Sequence, residues 1–280
     1  MKRPLSSLRP RSGFSLLELL LAVSIMGVII ASLYGMFYQV QRGLRANVTQ
    51  VDVLEGSRAT LDLLTRDMTD MAATDRLLGT NLAGHVAYWP PVVQNLMEGQ
   101  RRTNLLHELT FLTRYNQEFS ATGYRVLFAG NGVGTLSRYS TNALPWAVDP
   151  TNLVHSVLQQ RPERFVPVLG GVIHFRVVPY DALGWPMIYR PTNLYDPEVL
   201  LSPDQGGETR YAFTSNALPA YVEVELGVLE PQTLAQYEGF AAGSTRALEF
   251  LADHAGQVQL FRQRIPIRLG AATRPFFAQP

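Results

Sequence analysis

The sequence reads Ser12-Gly13-Phe14-Ser15-Leu16-Leu17-Glu18-Leu19-Leu20-Leu21 where a basic N-terminus gives way to an apolar run over residues 14–38. Glu18 is the only charged residue between Arg11 and Arg42. A helix of these 25 residues is roughly 37 Å long, and the hydrocarbon core of a bilayer is about 30 Å thick. The run therefore predicts a transmembrane helix.

Positive charge is concentrated ahead of this run. The chain has 24 basic and 23 acidic residues, a formal net charge of +1. Removing residues 1–13, which hold four of the basic residues, leaves a net charge of −3. A positive flank stays in the cytoplasm, so we expect the body to lie on the outer side of the membrane. A body of this charge is not a strongly basic nucleic-acid binder. The four basic residues are Lys2, Arg3, Arg9 and Arg11.

The composition excludes several classes of site. The chain has no cysteine, which rules out disulfide scaffolds, zinc–thiolate sites, iron–sulfur clusters and thiol nucleophiles. Apolar residues make up 46% of the 280 residues and charged residues 17%, a balance that favours a packed core over disorder.

Three interpretations of the N-terminus compete. A cleaved secretory signal has an apolar region of only about 7–15 residues and a small-x-small cleavage site, so this run is too long for one. A plain signal anchor has the right length but leaves Glu18 unexplained, because an unpaired carboxylate in a membrane helix is costly. The third interpretation rests on a resemblance.

The stretch Gly13-Phe14-Ser15-Leu16-Leu17-Glu18 resembles the processing motif of type IV prepilins and of the pseudopilins of type II secretion. The resemblance implies that a prepilin peptidase cuts between Gly13 and Phe14 on the cytoplasmic side of the membrane. The same enzyme would then N-methylate Phe14, and Glu18 would become the fifth mature residue. Residues 1–13 are then a removable leader, and residues 14–38 are the transmembrane half of a longer helix.

A role for Glu18 follows from this processing. A carboxylate buried in lipid needs a cation, and cleavage creates an ammonium group at Phe14. The amine of a neighbouring subunit can supply the partner, so Glu18 would fix the register between subunits. The alternative is that the Glu18 side chain extends to the membrane surface.

We expect the helix to continue as an amphipathic segment over residues 39–79. No proline interrupts it, and Gly79 is a plausible stop after Leu78. Apolar residues recur at spacings of three and four, which predicts one stripe packed on a core. The stripe comprises Val51, Leu54, Leu61, Leu64, Met68 and Met71.

Residues 80–280 are predicted to form a β-rich body. Apolar and polar residues alternate over 109–115, 173–177 and 221–228, and the last of these is the cleanest half-buried strand. A final strand near 258–269 contains Pro266, which favours an edge or a break. Residues 181–219 lack periodicity and are interpreted as a long loop or insertion. The predicted class is α+β, with a long N-terminal helix packed on an antiparallel sheet, as in a pilin-like fold.

A weaker resemblance extends into the body. The segments Arg58–Met68, Val168–Val177 and Leu218–Leu226 are similar to the J-type minor pseudopilins of type II secretion. The insertion at 181–219 and the extra segment at 230–257 depart from that pattern. A minor pilin of a type IV pilus is the main alternative within the family.

Catalytic motifs are not found. The histidines form no His-Glu-x-x-His pair, and residues 130–134 are interpreted as a glycine turn without the context of a phosphate site. Acidic residues of the 181–219 segment could hold Ca²⁺, but their spacing matches no known ligand pattern and favours a solvated loop. These are Asp181, Asp196, Glu198, Asp204 and Glu208. Trp89, Trp146 and Trp185 are candidates for contact with partners or for the rim of the core.

We therefore expect a non-enzymatic assembly protein without a cofactor. It would be a single-pass protein of the bacterial inner membrane with a periplasmic body, incorporated into a pseudopilus as a minor subunit at its tip. Its partners would be the prepilin peptidase, other minor and major pseudopilins and the inner-membrane assembly platform, but no nucleic acid. A different class remains open, a membrane-anchored periplasmic binding module or enzyme with a pilin-like anchor. A deep polar pocket with convergent titratable groups would favour it.

Overall fold

The computed structural model describes residues 15–74, 76–128, 130, 132–144, 148–189, 198–241 and 243–268, with the backbone alone at 42 and 44–50. The chain divides into two compact units, Met1–Val48 and Thr49–Pro280. Helix α1 (Leu16–Thr69) contributes residues to both units. The predicted α+β class is confirmed, since an N-terminal apolar helix precedes a curled antiparallel sheet.

The first unit consists, in its described part, of the apolar portion of α1. Residues Leu16–Gln41 have a mean hydropathy of 2.5, and their side chains are exposed throughout. This is the one helix among the described residues that is long and apolar enough to cross a membrane. Its length and composition are consistent with a membrane anchor near the N-terminus.

Helix α1 ends at Thr69, earlier than the Leu78 expected from the sequence. The chain turns into the sheet instead. Met71 forms an antiparallel bridge with Thr113, and the N–H of Ala72 donates to the carbonyl of Leu112 at 2.9 Å. The absence of proline up to Leu78 did not predict the end of the helix, because pairing with the sheet, and not a helix-breaking residue, ends it at Thr69.

The C-terminal turns of α1 pack on the sheet through a stripe that differs from the predicted one. Leu61, Leu64 and Met68 are buried as expected, and Met71 is buried beyond the helix end. Val51 and Leu54, however, are 48% and 44% exposed, and Val53 takes their place in the core. A stripe of period 3.6 through 53, 57, 60–61, 64 and 68 leaves those two positions on the outer face.

The body is built on antiparallel strands. Within the described residues, nine of them form one sheet in the order β11-β10-β7-β6-β5-β4-β1-β9-β8, and β2 and β3 form a separate hairpin. The strands are β1 (Thr80–Val86), β2 (Val92–Asn95), β3 (Arg101–Asn104), β4 (His107–Tyr115), β5 (Glu118–Leu127), β6 (Gly134–Ala143), β7 (Val166–Tyr180), β8 (Val199–Pro203), β9 (Thr209–Thr214), β10 (Tyr221–Leu229) and β11 (Val258–Pro266).

Short helices cover the face of the sheet opposite α1. Helix α2 (Pro150–Leu158) packs on Leu112, whereas α1 packs on Phe111, and successive strand residues point to opposite faces. Helices α3 (Pro231–Glu238) and α4 (Thr245–Asp253) form a further cluster with Val92 of the β2–β3 hairpin. The extra segment at 230–257 is thus a small helical lobe.

Two predictions for the body need correction, one for a strand and one for a loop. Strand β10 is buried on both faces rather than half-buried, because ion pairs neutralise its glutamates. The predicted loop at 181–219 contains β8 and β9, which extend the sheet beyond β1. The expected strand near 258–269 ends at Pro266 and lies at the sheet edge, as predicted. The opposite edge strand, β8, also ends in a proline, Pro203.

Candidate assembly site

The start of helix α1 places the candidate assembly residue. Ser15 precedes the helix, and its Oγ accepts a hydrogen bond from the backbone N–H of Glu18 at 3.2 Å. Ser15 is therefore the N-cap, and Glu18 is the third helical residue. Gly13 and Phe14, the predicted cleavage and methylation residues, lie outside the described residues.

Glu18 occupies the first helical turn with its side chain exposed. The N-terminus of a helix carries partial positive charge, which stabilises a nearby carboxylate. Among the described side chains of residues 15–41, Glu18 is the one that carries a carboxyl group. The hydroxyl of Ser24 is bonded within the helix, because it donates to the carbonyl of Leu20 at 2.8 Å. Glu18 is thus available to a cation from outside its own helix.

A polar link that the sequence did not predict joins α1 to the sheet. The carboxylate of Asp67 accepts hydrogen bonds from the hydroxyl of Tyr124 at 2.7 Å and from the Nε of Arg138 at 2.6 Å. Burial, and then the hydrogen bond to Asp67, raises the pKa of Tyr124. A second link runs from the amide of Gln263 to the hydroxyl of Thr65 at 2.9 Å.

A grid of ion pairs lies on strands β7, β10 and β11. Glu225 faces Arg176 and Arg262 across the two neighbouring ladders, and Glu223 pairs with Arg264 at 2.8 Å. The hydrogen bond from His174, with the nearby Arg262 and Arg176, lowers the pKa of Glu225 to about 2. The alternation of glutamates with apolar residues in β10 predicted a strand with one solvated face. In the structure, arginines on the two neighbouring strands pair with these glutamates, and the glutamates are buried.

The stacked rings of Tyr180 and Tyr221 close one end of this grid. Their centroids are 4.9 Å apart, and the guanidinium of Arg264 lies 5.7 Å and 5.5 Å from the two ring centroids. Such packing stabilises the sheet and brings no reactive group together.

The histidines occupy separate structural settings. His174 and His107 are buried and are 5% and 2% exposed. His85 lies near Glu108, with Nε2 and Oε2 3.9 Å apart, and burial lowers its pKa. His155 on α2 is exposed, and His254 stacks on Phe250.

The acidic residues considered for Ca²⁺ are spread over the body. Asp181 Oδ1 accepts from the N–H groups of Leu183 and Trp185, and Glu208 pairs with Arg176. Asp204 accepts from the N–H of Val86 and lies 3.7 Å from Arg210, Glu198 also has a partner, and Asp196 lies outside the described residues. Within the described part of the chain, no three His, Asp or Glu side chains form a group that could hold a metal ion.

The remaining candidates are surface features. Trp185 is 58% exposed on the turn that follows β7, Trp89 is half-exposed, and Trp146 lies outside the described residues. Gly132 adopts a φ of 83°, as expected for a turn, and its Cα faces the side chain of Val92. Asn131 of the same glycine stretch is outside the described residues.

Residues 8–34 match the family model of the prokaryotic N-terminal methylation motif. This is the prepilin signal of type IV pilin-like proteins, and it contains Gly13, Phe14 and Glu18. The motif implies processing by a prepilin peptidase and assembly with other pilin-like subunits. A comparison with curated proteins finds no match, and a comparison with solved structures finds none.

Proposed function

We propose that this chain is a minor pseudopilin of a type II secretion system. Its role would be structural, as a low-copy subunit of the complex that starts the pseudopilus and forms its tip. The observation that carries the proposal is the methylation motif at residues 8–34, followed by an apolar helix and a curled antiparallel sheet. This role requires no cofactor and no catalytic step of the chain itself.

The charge pattern supports the proposed location. The basic leader would remain cytoplasmic, the apolar part of α1 would lie in the inner membrane, and the body would fold in the periplasm. After cleavage, the methylated amine of Phe14 in one subunit would pair with Glu18 of its neighbour. Such pairing compensates a carboxylate that would otherwise be costly in lipid.

The size of the body supports a minor subunit over the main filament subunit. Beyond the sheet that covers α1, it carries α2 on the opposite face and a lobe of α3, α4 and the β2–β3 hairpin. A subunit with such additions suits an end position, where few neighbours must be accommodated. The similarity of Arg58–Met68, Val168–Val177 and Leu218–Leu226 to J-type minor pseudopilins favours the tip among the end positions.

The processing step is tested by mass spectrometry of the chain purified from its own host. We expect a mature protein without residues 1–13 that carries one N-methyl group on Phe14. Recovery of the chain with its leader, in a host whose other prepilins are processed, would contradict the proposal at its first step.

The choice of machine is tested by deleting the gene in its host. A pseudopilin role predicts that proteins exported across the outer membrane accumulate in the periplasm, while pili still form. Loss of pili with normal secretion would identify a minor pilin instead. A strain that expresses the Glu18→Ala variant serves as the comparison for an assembly defect in either machine.

A further inference from the structure

Strand β7 changes partner along its length. Strand β6 pairs with its first part, from Val166 to Val172, and residues 105–107 lie beside its second part. The N–H of Phe175 donates to the carbonyl of Leu105 at 2.8 Å. Further along β7, a side chain rather than a backbone group is the partner: the hydroxyl of Tyr211 donates to the carbonyl of Val177 at 3.0 Å. We call this region, residues 105–107 against residues 174–177, the seam.

Two imidazoles act as hydrogen-bond acceptors in the seam. The N–H of Leu105 donates to Nδ1 of His174 at 3.1 Å, and the N–H of Val177 donates to Nδ1 of His107 at 3.4 Å. A ring nitrogen that accepts a hydrogen bond carries no proton, so both rings are neutral with the proton on Nε2. The Nε2–H of His174 then points to Glu225 Oε2 at 3.3 Å.

We propose that His107 makes the seam a pH-responsive joint, which opens when its imidazole takes up a proton on Nδ1. A proton there removes the acceptor and places two N–H groups face to face. Because this ring bonds to the backbone of strand β7, the loss of the bond separates residues 105–107 from that strand.

The charges around the joint keep it closed at neutral pH. Burial, and then the positive charge of Arg176, lowers the pKa of His107 to about 3, from an ordinary value of 6.5. The groups that face His107 are Arg176, His174, His85 and Asp204, and those near His174 are Glu225, Arg176 and His107.

These values give the expected size of the effect. In the closed form His107 stays neutral down to about pH 3, whereas in an open form it would titrate near 6.5. The fraction of open molecules should therefore rise up to about tenfold for each pH unit below 6.5. Opening would loosen the β2–β3 hairpin, which directly precedes the seam and ends at Asn104, and which the bond from Gln94 to the carbonyl of Leu251 ties to α4.

Hydrogen exchange of single amides in the full chain, in detergent micelles, tests the joint. Protection of the Leu105 and Val177 amides, corrected for intrinsic exchange, should fall about 15-fold in total from pH 6.5 to 5, while amides of the β4–β5 ladder keep theirs. Asparagine places an oxygen where histidine has Nδ1 and does not titrate. The double variant His107→Asn/His174→Asn should therefore be independent of pH, and the exposed His155→Asn control should behave as the wild type.

Two results would overturn the proposal. One is protection at both amides that does not change between pH 6.5 and 5 in the wild type. The other is the same loss of protection in the double asparagine variant. If that variant does not fold, the nitrogen chemical shifts of the imidazoles decide the question in the wild type, since a protonated Nδ1 at pH 7.5 in His107 and His174 contradicts the proposed bonds.

Discussion

Asp67 of helix α1 and Arg138 of strand β6 are joined by a 2.6 Å hydrogen bond between Oδ2 and Nε. The same oxygen accepts from the hydroxyl of Tyr124 on β5, so one carboxylate fastens the helix to two strands. Asp67 lies in the last turn of α1. It therefore has a structural reason to be there, which is to hold the helix against the sheet.

Replacing Asp67 by alanine should lower the free energy of unfolding of the body by about 2–3 kcal/mol, because a hydroxyl and a guanidinium lose a charged acceptor in a partly buried site. Urea unfolding of the chain in detergent, followed by tryptophan fluorescence, measures this change. Asp62→Ala is the control, since Asp62 is exposed on the same helix. Equal losses in the two variants would show that the link contributes nothing specific.

Glu18→Ala should leave cleavage after Gly13 intact but reduce incorporation into the assembled filament, because the pairing partner of the neighbouring amine is gone. Immunoblots of sheared filaments against membranes compare the two pools. Ser15→Ala is the matched control, since it removes the N-cap bond to the Glu18 amide and keeps the carboxylate. If Ser15→Ala assembles as poorly as Glu18→Ala, helix capping rather than subunit pairing explains the defect.

Gly84 leaves room for a buried tyrosine. It lies opposite Tyr211 in the β1–β9 ladder, and a Cβ at position 84 would overlap Cζ and Oη of that ring. Gly84→Ala should cost about 1–3 kcal/mol of unfolding free energy and disturb the bond from Tyr211 to Val177. Gly170→Ala, a strand position with open space, should change it by less than about 0.5 kcal/mol. Thermal unfolding of both variants gives the comparison.

Glu225 should make the body sensitive to acid. Its pKa of about 2 in the folded chain, held low first by the His174 hydrogen bond, lies below the ordinary 4.5. Between these values the unfolded chain binds more protons, so stability is present above pH 4.5 and is lost as the pH falls toward 2. We expect a loss of about 2–3 kcal/mol across this range in the wild type, measured by urea unfolding at stepwise pH.

Glu225→Gln should remove most of that slope, and it should start from a lower stability at pH 7, because Arg262 and Arg176 lose a partner. The exposed Glu238→Gln variant provides the comparison and should keep the slope of the wild type. An unchanged acid profile in Glu225→Gln would mean that other carboxylates dominate acid unfolding.

The membrane helix could be read from the sequence because its signal needs no tertiary information. A long run with Glu18 as its single charge has few other interpretations, and the same run holds the processing motif. The strands near Leu109, Ile173 and Tyr221 were predictable for a similar reason, since a period of two survives in local sequence. Local sequence could not show which faces of the strands are buried by other parts of the body.

The misplaced features depended on distant partners. The end of α1 is set by pairing between Met71 and Thr113, and the burial of Glu225 by arginines on two other strands. Two further elements carry a local sequence signal. Alternation of Tyr211 and Phe213 marks β9, and Pro150 after Asp149 marks the start of α2, where the aspartate accepts from the N–H of Thr151.

Both edge strands of the described sheet finish on a proline, Pro203 in β8 and Pro266 in β11, and exposed Arg262 and Arg264 flank the second edge. Proline offers no N–H, and fixed charges discourage an incoming strand. Neighbouring bodies held at high local density along a membrane would therefore resist edge-to-edge strand pairing into one continuous sheet. Polymerisation of such a protein would have to be driven by its helices rather than by its sheet edges.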